Sequence, residues 1–233
     1  MRVVILAGGL GRRLVPYTVV LPKPLMPVGD YPILEILIRQ LKRHGLTDIT
    51  LAVGHLGNLI QTFFGDGREL GVKIKYSYEK MPLGTVGPLA HIKGLSKTFL
   101  VMNGDLLTLL DYSKLIAHHK KNGALATIAT QKRSVMVDFG IIKNNIHNQV
   151  TQYIEKPELF YQVSMGVYVF EPEILRFIPA KTKFDFPELV NLLLQKKRKV
   201  AVYPSRNFWL DIGRPDDYAR AVEIFPKIKR KLF

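Results

Sequence analysis

A chain of 233 residues, 47% of them hydrophobic, suits one sizeable α/β domain with a proper core. It has no cysteine, which excludes a disulfide framework and a thiolate metal site, and no stretch stays apolar for the ~20 residues of a membrane span. With 34 Lys and Arg against 19 Asp and Glu, the formal charge of +15 favours anionic partners: phosphate substrates, acidic membranes or nucleic acid.

In chain order, Arg2–Leu6 reads as a first buried strand, entered with no signal-peptide layout, so a soluble cytoplasmic protein is expected. Residues 32–44 have helical spacing (Ile33, Ile36, Leu37, Leu41) and stop at Gly45. A strand at 48–53, a helix at 58–64 and a strand at 72–78 follow. Residues 86–93 read as a helix despite Pro88, 98–102 as a strand ending in Asn103-Gly104-Asp105, and 111–122 as a helix closed by Gly123. This alternation predicts a mostly parallel sheet with helices on both faces. After Ala124 the rhythm changes. Residues 124–130, 139–143, 150–155 and 163–170 read as added antiparallel strands with short connections. A helix at 187–195, a strand at 200–203 and a helix at 215–225 complete the chain. No linker or repeat divides it, so residues 1–233 are expected to form one domain whose second half adds a binding subregion. The basic runs Lys196 to Lys199 and Lys227 to Lys231 lack interleaved aromatics and read as solvated surface, with no nucleic-acid or membrane partner expected. Tyr76, Tyr78, Phe208 and Trp209 read as core or rim, and His118-His119 as surface.

The loop after the first strand carries Gly8, Gly9, Gly11, Arg12, Arg13 and the run Pro22-Lys23-Pro24. Glycines there bring bare backbone N–H groups against an anion. It lacks the Gly-Lys-Ser/Thr ending of a P-loop, and Leu14 stands where a dinucleotide fingerprint needs its third glycine. The reading left is an extended loop that wraps phosphates itself, with Arg13 and Lys23 supplying positive charge.

Leu6-Ala7-Gly8-Gly9, Gly11, Arg13-Leu14, Pro16, Thr18 and Pro22-Lys23-Pro24-Leu25 together resemble the signature of the sugar-1-phosphate nucleotidyltransferases, or nucleotide-sugar pyrophosphorylases. The resemblance continues, in order, at Pro82-Leu83-Gly84-Thr85, Asn103-Gly104-Asp105, Glu155-Lys156-Pro157, Gly166-Val167-Tyr168 and Trp209-Leu210-Asp211-Ile212-Gly213. It implies a Rossmann-like, three-layer α/β fold with a mixed, mostly parallel central sheet. It implies an enzyme in which a sugar 1-phosphate oxygen attacks the α-phosphate of a nucleoside triphosphate, Mg²⁺ assists and pyrophosphate leaves.

The same resemblance implies roles. Arg13, Lys23 and Asp105 would be catalytic, and Asp105 and Asp211 would hold the metal. Leu6, Ala7, Gly8, Gly9, Gly11, Arg13, Glu79, Gly84, Thr85 and Gly104 would bind the nucleotide; Gly140, Glu155 and Lys156 would bind the sugar phosphate. The residues between 78 and 88 would read the base. They hold Glu79 and no glutamine, and a carboxylate that only accepts suits guanine's adjacent donors. GTP with mannose 1-phosphate or a manno-heptose 1-phosphate is therefore the leading expectation. A glucose-1-phosphate thymidylyl- or uridylyltransferase, or an N-acetylmuramate-1-phosphate uridylyltransferase, is the alternative. A silent nucleotide-sugar sensor is a reading of another class. Arg12 departs from the family's usual Thr or Ser and adds a cation beside the phosphates. No C-terminal β-helix is expected, and the oligomeric state is open, a homodimer included.

Overall fold

The computed structural model describes residues 1–79 and 81–233. Seven strands form its central sheet: β1 (Arg2–Ala7), β2 (Asp48–Val53), β3 (Lys73–Tyr78), β4 (Phe99–Asn103), β5 (Ala126–Met136), β6 (Glu158–Phe170) and β7 (Val200–Ser205). Their spatial order is β7-β5-β6-β4-β1-β2-β3. Only β6 runs against its neighbours, so the sheet is mixed and mostly parallel. The central strands β1 and β4 are buried on both faces and read as continuous apolar runs, as parallel strands require.

Strand alternation divides the core in two. Val3, Ile5 and Ala7 face one layer, built with α1 (Ile33–Arg43), α2 (Gly57–Phe64) and α3 (Tyr112–Asn122). Val4 faces the other, built with α4 (Phe186–Gln195) and the 3₁₀ turn Gly87–His91. A third cluster joins α1, the glycine-rich loop and α5 (Pro215–Leu232) through Ile33, Ile36, Leu14, Met26, Phe225 and Leu232.

Local chemistry sets the helix ends. Asp111 caps α3 by accepting from Lys114 N–H at 3.1 Å, and Gly123 closes it at φ 57°. Asp185 and Glu188 form a capping box at the start of α4. Three expectations need correction. Residues 86–93 form only the 3₁₀ turn Gly87–His91, because the segment is too short to sustain an α-helix and Gly94, at φ 79°, ends it. The last helix runs to Leu232 through Pro226, because Ala221, Phe225, Ile228 and Leu232 all meet the third cluster at 3–4-residue spacing. The basic residues 227–231 are therefore the last turns of a helix, where cations suit the dipole. Of the four strand-like segments after Ala124, two lengthen into β5 and β6, whereas Ile141–Asn144 and Val150–Ile154 pair only with each other. Among the described residues no helix is long and apolar enough to cross a membrane.

Candidate functional site

β1 and β4 lie side by side in parallel, with Leu6 opposite Asn103, so the segments leaving their C-terminal ends start together. That is where open α/β sheets bind ligands. Gly104 N–H donates to Leu6 O at 2.9 Å, and a Cβ on Gly104 would lie 2.9 Å from that oxygen, so only glycine lets the two segments close up. A short ribbon then brings in a distant part of the chain. Leu106–Thr108 pairs antiparallel with Trp209–Asp211, and Ile212 N–H donates to Asp105 O at 3.0 Å. Asp105 and Asp211 are thus neighbours across 106 positions of sequence because two backbones are hydrogen-bonded there.

The loop supplies the cations. Lys23 is only 9% exposed, held in a 3₁₀ turn between two prolines, and its Nζ is ion-paired with Asp105 Oδ2. The other oxygen of that carboxylate, Oδ1, is buried without a hydrogen-bond partner. The Asp211 carboxyl is pushed above the usual range, first by burial and then by the charge of Asp105, while Lys23 and Arg13 pull it back. The Arg13 guanidinium lies 3.5 Å from where a Cβ on Gly213 would stand. Three segments, the loop after β1, the end of β4 and the strand Trp209–Asp211, therefore gather Arg13, Lys23, Asp105 and Asp211 in one place. An orphaned carboxylate oxygen beside a second carboxylate that burial disfavours as an anion fits a hard divalent cation. No cluster of three or more His, Asp or Glu of ligating geometry occurs among the described residues, so the chain would offer two carboxylates and leave other positions to phosphate and water.

Glu79 reaches the same loop from the end of β3. Its N–H donates to Val53 O at 2.9 Å, one carboxylate oxygen accepts from Leu83 N–H at 3.1 Å, and the other lies 2.6 Å from where a Cβ on Gly8 would be. Burial raises this carboxyl above its usual range, against the opposing pull of the Leu83 N–H and of His91. Lys80, inside the expected base-reading segment, lies outside the described residues. Gly9 faces open space, and Gly11 adopts φ 62° with its carbonyl accepting from the Thr18 hydroxyl at 2.8 Å. Leu6 and Ala7 are the strand end itself. Arg12 is exposed.

Gly84 and Thr85 are held against the start of α4. Thr85 donates to Asp185 from both its N–H (2.8 Å) and its hydroxyl (3.1 Å), and Gly84 at φ 80° packs on Phe184 and Asp185. These bonds tie the expected base-reading segment to the cap of α4. Gly140 and Glu155 do meet: the Tyr153 hydroxyl donates to Glu155 at 3.0 Å, directly where a Cβ on Gly140 would be. Lys156 follows, exposed, at φ 40°. This group stands at the base of the hairpin Ile141–Asn144 and Val150–Ile154.

A cleft of about 560 Å³ opens between Thr85, Asn103, Ser164, Tyr168, Asp185 and Asn191. Asn103 and Tyr168 lie in the motifs of the resemblance and received no role from the sequence; the usable signal was Gly166, where a Cβ would lie 2.6 Å from the Asn103 amide nitrogen. Trp209 is half-buried, its indole N–H donating to Met165 O at 2.9 Å, as a rim residue should be. His119 is a correction. It is buried, not surface, and holds Thr127 at 2.7 Å and Glu171 at 3.0 Å.

The family model for nucleotidyl transferases matches residues 2–227. The chain is 32% identical to a UTP–glucose-1-phosphate uridylyltransferase of Synechocystis, over 95% of this chain and 62% of that one. It is likewise 32% identical to a mannose-1-phosphate guanyltransferase of Saccharomyces cerevisiae, over 97% of this chain and 64% of that one. The chain thus spans less than two thirds of these relatives. Among solved structures, HddC of Yersinia pseudotuberculosis complexed with GMP-PN matches with a TM-score of 0.73 and 27% identity, covering 96% of this chain and 99% of that one.

Proposed function

Given that the chain belongs to the nucleotidyl transferase family, we propose that it transfers a nucleotidyl group from a nucleoside triphosphate to a sugar 1-phosphate. The observation that carries this is the convergence of Arg13, Lys23, Asp105 and Asp211 at the ends of β1 and β4. In the reaction an oxygen of the sugar phosphate attacks the α-phosphorus, the bond to the bridging oxygen breaks, and the electron pair leaves with pyrophosphate. No proton has to move, so the protein's task is alignment and charge neutralisation. Asp105 and Asp211 would hold Mg²⁺, which when bound neutralises charge on the phosphates. Arg13 and Lys23 bind the triphosphate and stabilise the departing pyrophosphate; Lys23 exchanges its Asp105 partner for phosphate oxygens. Gly8, Gly9, Gly11 and Gly104 let backbone approach the nucleotide. Gly140, Glu155 and Lys156 close on the acceptor from the hairpin.

The base is guanine in this reading. Glu79 sits against Gly8 with one oxygen oriented by Leu83 N–H, and a carboxylate there accepts from the ring N–H and amino group that guanine presents side by side. Mannose 1-phosphate or a manno-heptose 1-phosphate is the acceptor, and residues 1–233 act as one domain in the cytoplasm. The test is pyrophosphate release over a grid of GTP, dTTP, UTP, CTP and ATP against sugar 1-phosphates. GTP should lead in kcat/KM, because a site built for guanine's donors discriminates strongly against bases lacking them. A lead of about tenfold or more for UTP or dTTP, far above the few-fold scatter of a non-selective site, would replace guanine by the pyrimidine reading.

A further inference from the structure

Three arginines are half-buried: Arg2, Arg133 and Arg198. Arg2 holds Asp48 at 3.2 Å and Arg198 holds Glu173 at 2.8 Å. Arg133 holds no carboxylate among the described residues. Its guanidinium instead lies over the ring of Trp209, 5.3 Å from the centroid. A ring face gives a guanidinium a brace but takes none of its five N–H donors. Partly removing those donors from water is unfavourable unless something else accepts from them.

The position of this arginine gives the donors a direction. Trp209 stands two residues before Asp211 on one short strand, so alternation puts ring and carboxyl on one face while Leu210 enters the core. The bond from the indole to Met165 O fixes the ring against β6. Arg133 lies beyond it on β5, just past Gln131, the last residue that β7 covers. Asp211 and Trp209 thus share one face of the ribbon, and Arg133 reaches that face from β5.

We propose that Arg133, braced on Trp209, is a specificity-determining residue that reads exocyclic oxygens of the acceptor sugar, at the end remote from its reacting phosphate. This rests on the transferase reading above. A sugar's C–H face packs on the indole, and the guanidinium fork donates to the hydroxyls or to an oxyanion beyond the ring.

The experiment compares mannose 1-phosphate, its 6-deoxy form, manno-heptose 1-phosphate and mannose 1,6-bisphosphate as acceptors, with wild type, Arg133→Lys and Arg133→Leu. The wild type should prefer the 6-hydroxy over the 6-deoxy acceptor by about tenfold or more in kcat/KM. Arg133→Leu should bring that ratio to within about twofold of unity, and Arg133→Lys should fall between, because a lysine keeps charge without the fork. Preference for the heptose or for the bisphosphate tells which exocyclic oxygen is read, and either supports the proposal. Trp209 is the chain's single tryptophan, so its fluorescence reports acceptor binding directly and keeps the proposal testable if the leucine variant folds poorly. An equal ratio in wild type and variants, or a change confined to the KM of the nucleotide, overturns the proposal and leaves the transferase reading standing. Turnover of no sugar 1-phosphate with any nucleotide defeats that reading, and this proposal falls with it.

Discussion

Asp105, Asp211 and Lys23 leave elements whose neighbours are fully buried, whereas Gly140, Glu155 and Lys156 stand on a hairpin and ribbon where Phe139, Ile142, Ile146 and Phe160 are exposed. Among the described residues, β5 past Gln131 keeps only β6 as a neighbour, and the hairpin has no third strand. The two aspartates of the first region are locked by backbone pairing of β1 with β4 and of Leu106–Thr108 with Trp209–Asp211. The second is an overhang with few buried contacts, and such regions open most readily. The proposed division of labour follows. The reacting phosphates, common to every substrate pair, meet the rigid frame, and the acceptor, which differs among the relatives, meets the part that can be altered without disturbing the frame.

The largest effect that would sharpen this contrast is on turnover. Asp105→Asn and Asp211→Asn should each lower kcat by about 10²-fold or more in protein that far-UV circular dichroism shows to be folded, as for loss of a preorganised charge in a catalytic site. Retention of kcat within a few-fold, at saturating Mg²⁺, would break the assignment. The frame and the overhang should next differ in stability. Phe99→Ala, in the frame core, should cost about 3–5 kcal/mol by chemical denaturation, whereas Phe160→Ala should cost about 0.5 kcal/mol, mainly the loss of the Lys132 ammonium over its ring. Equal losses would mean that the arm belongs to the cooperative core. Lys156→Ala should raise the acceptor KM about tenfold, the scale of one charged contact, and leave Tm unchanged.

The smallest expected effect is on pH. Burial holds the His119 imidazole below its ordinary value of 6.5, only partly opposed by Glu171. As pH falls through 6.5 the unfolded chain takes up the proton first. The contribution of the neutral, buried ring is therefore fully present above that pH and is lost toward the lower folded value. Stability measured from pH 7.5 to 5.5 should fall with acid, and His119→Gln should flatten that slope. A slope identical in both proteins would assign the dependence to other groups.

Much of the frame was legible in the sequence because its signals are local. Apolar runs, Asp111 and the glycines after α1 and α3 mark elements to within a residue or two. The placement of Asp105 beside Asp211 was legible only through the ordered motifs, since no periodicity announces a two-stranded ribbon joining positions so far apart. The burial of His119 was hidden because a helix with lysines on one face can still turn a histidine inward to a distant Glu171. The tie of Thr85 to Asp185 was not legible, because it is a contact spanning about a hundred residues.

The most direct test of the central claim follows the label. GTP labelled at the α-phosphate is incubated with mannose 1-phosphate and Mg²⁺, and the products of wild type, Asp105→Asn and Asp211→Asn are separated. Label should pass into a GDP-sugar in step with pyrophosphate release by the wild type, and in neither variant above a trace. Label recovered as GMP or GDP without sugar, or transfer by either variant at the wild-type rate, would contradict a transfer run by the Arg13, Lys23, Asp105 and Asp211 cluster.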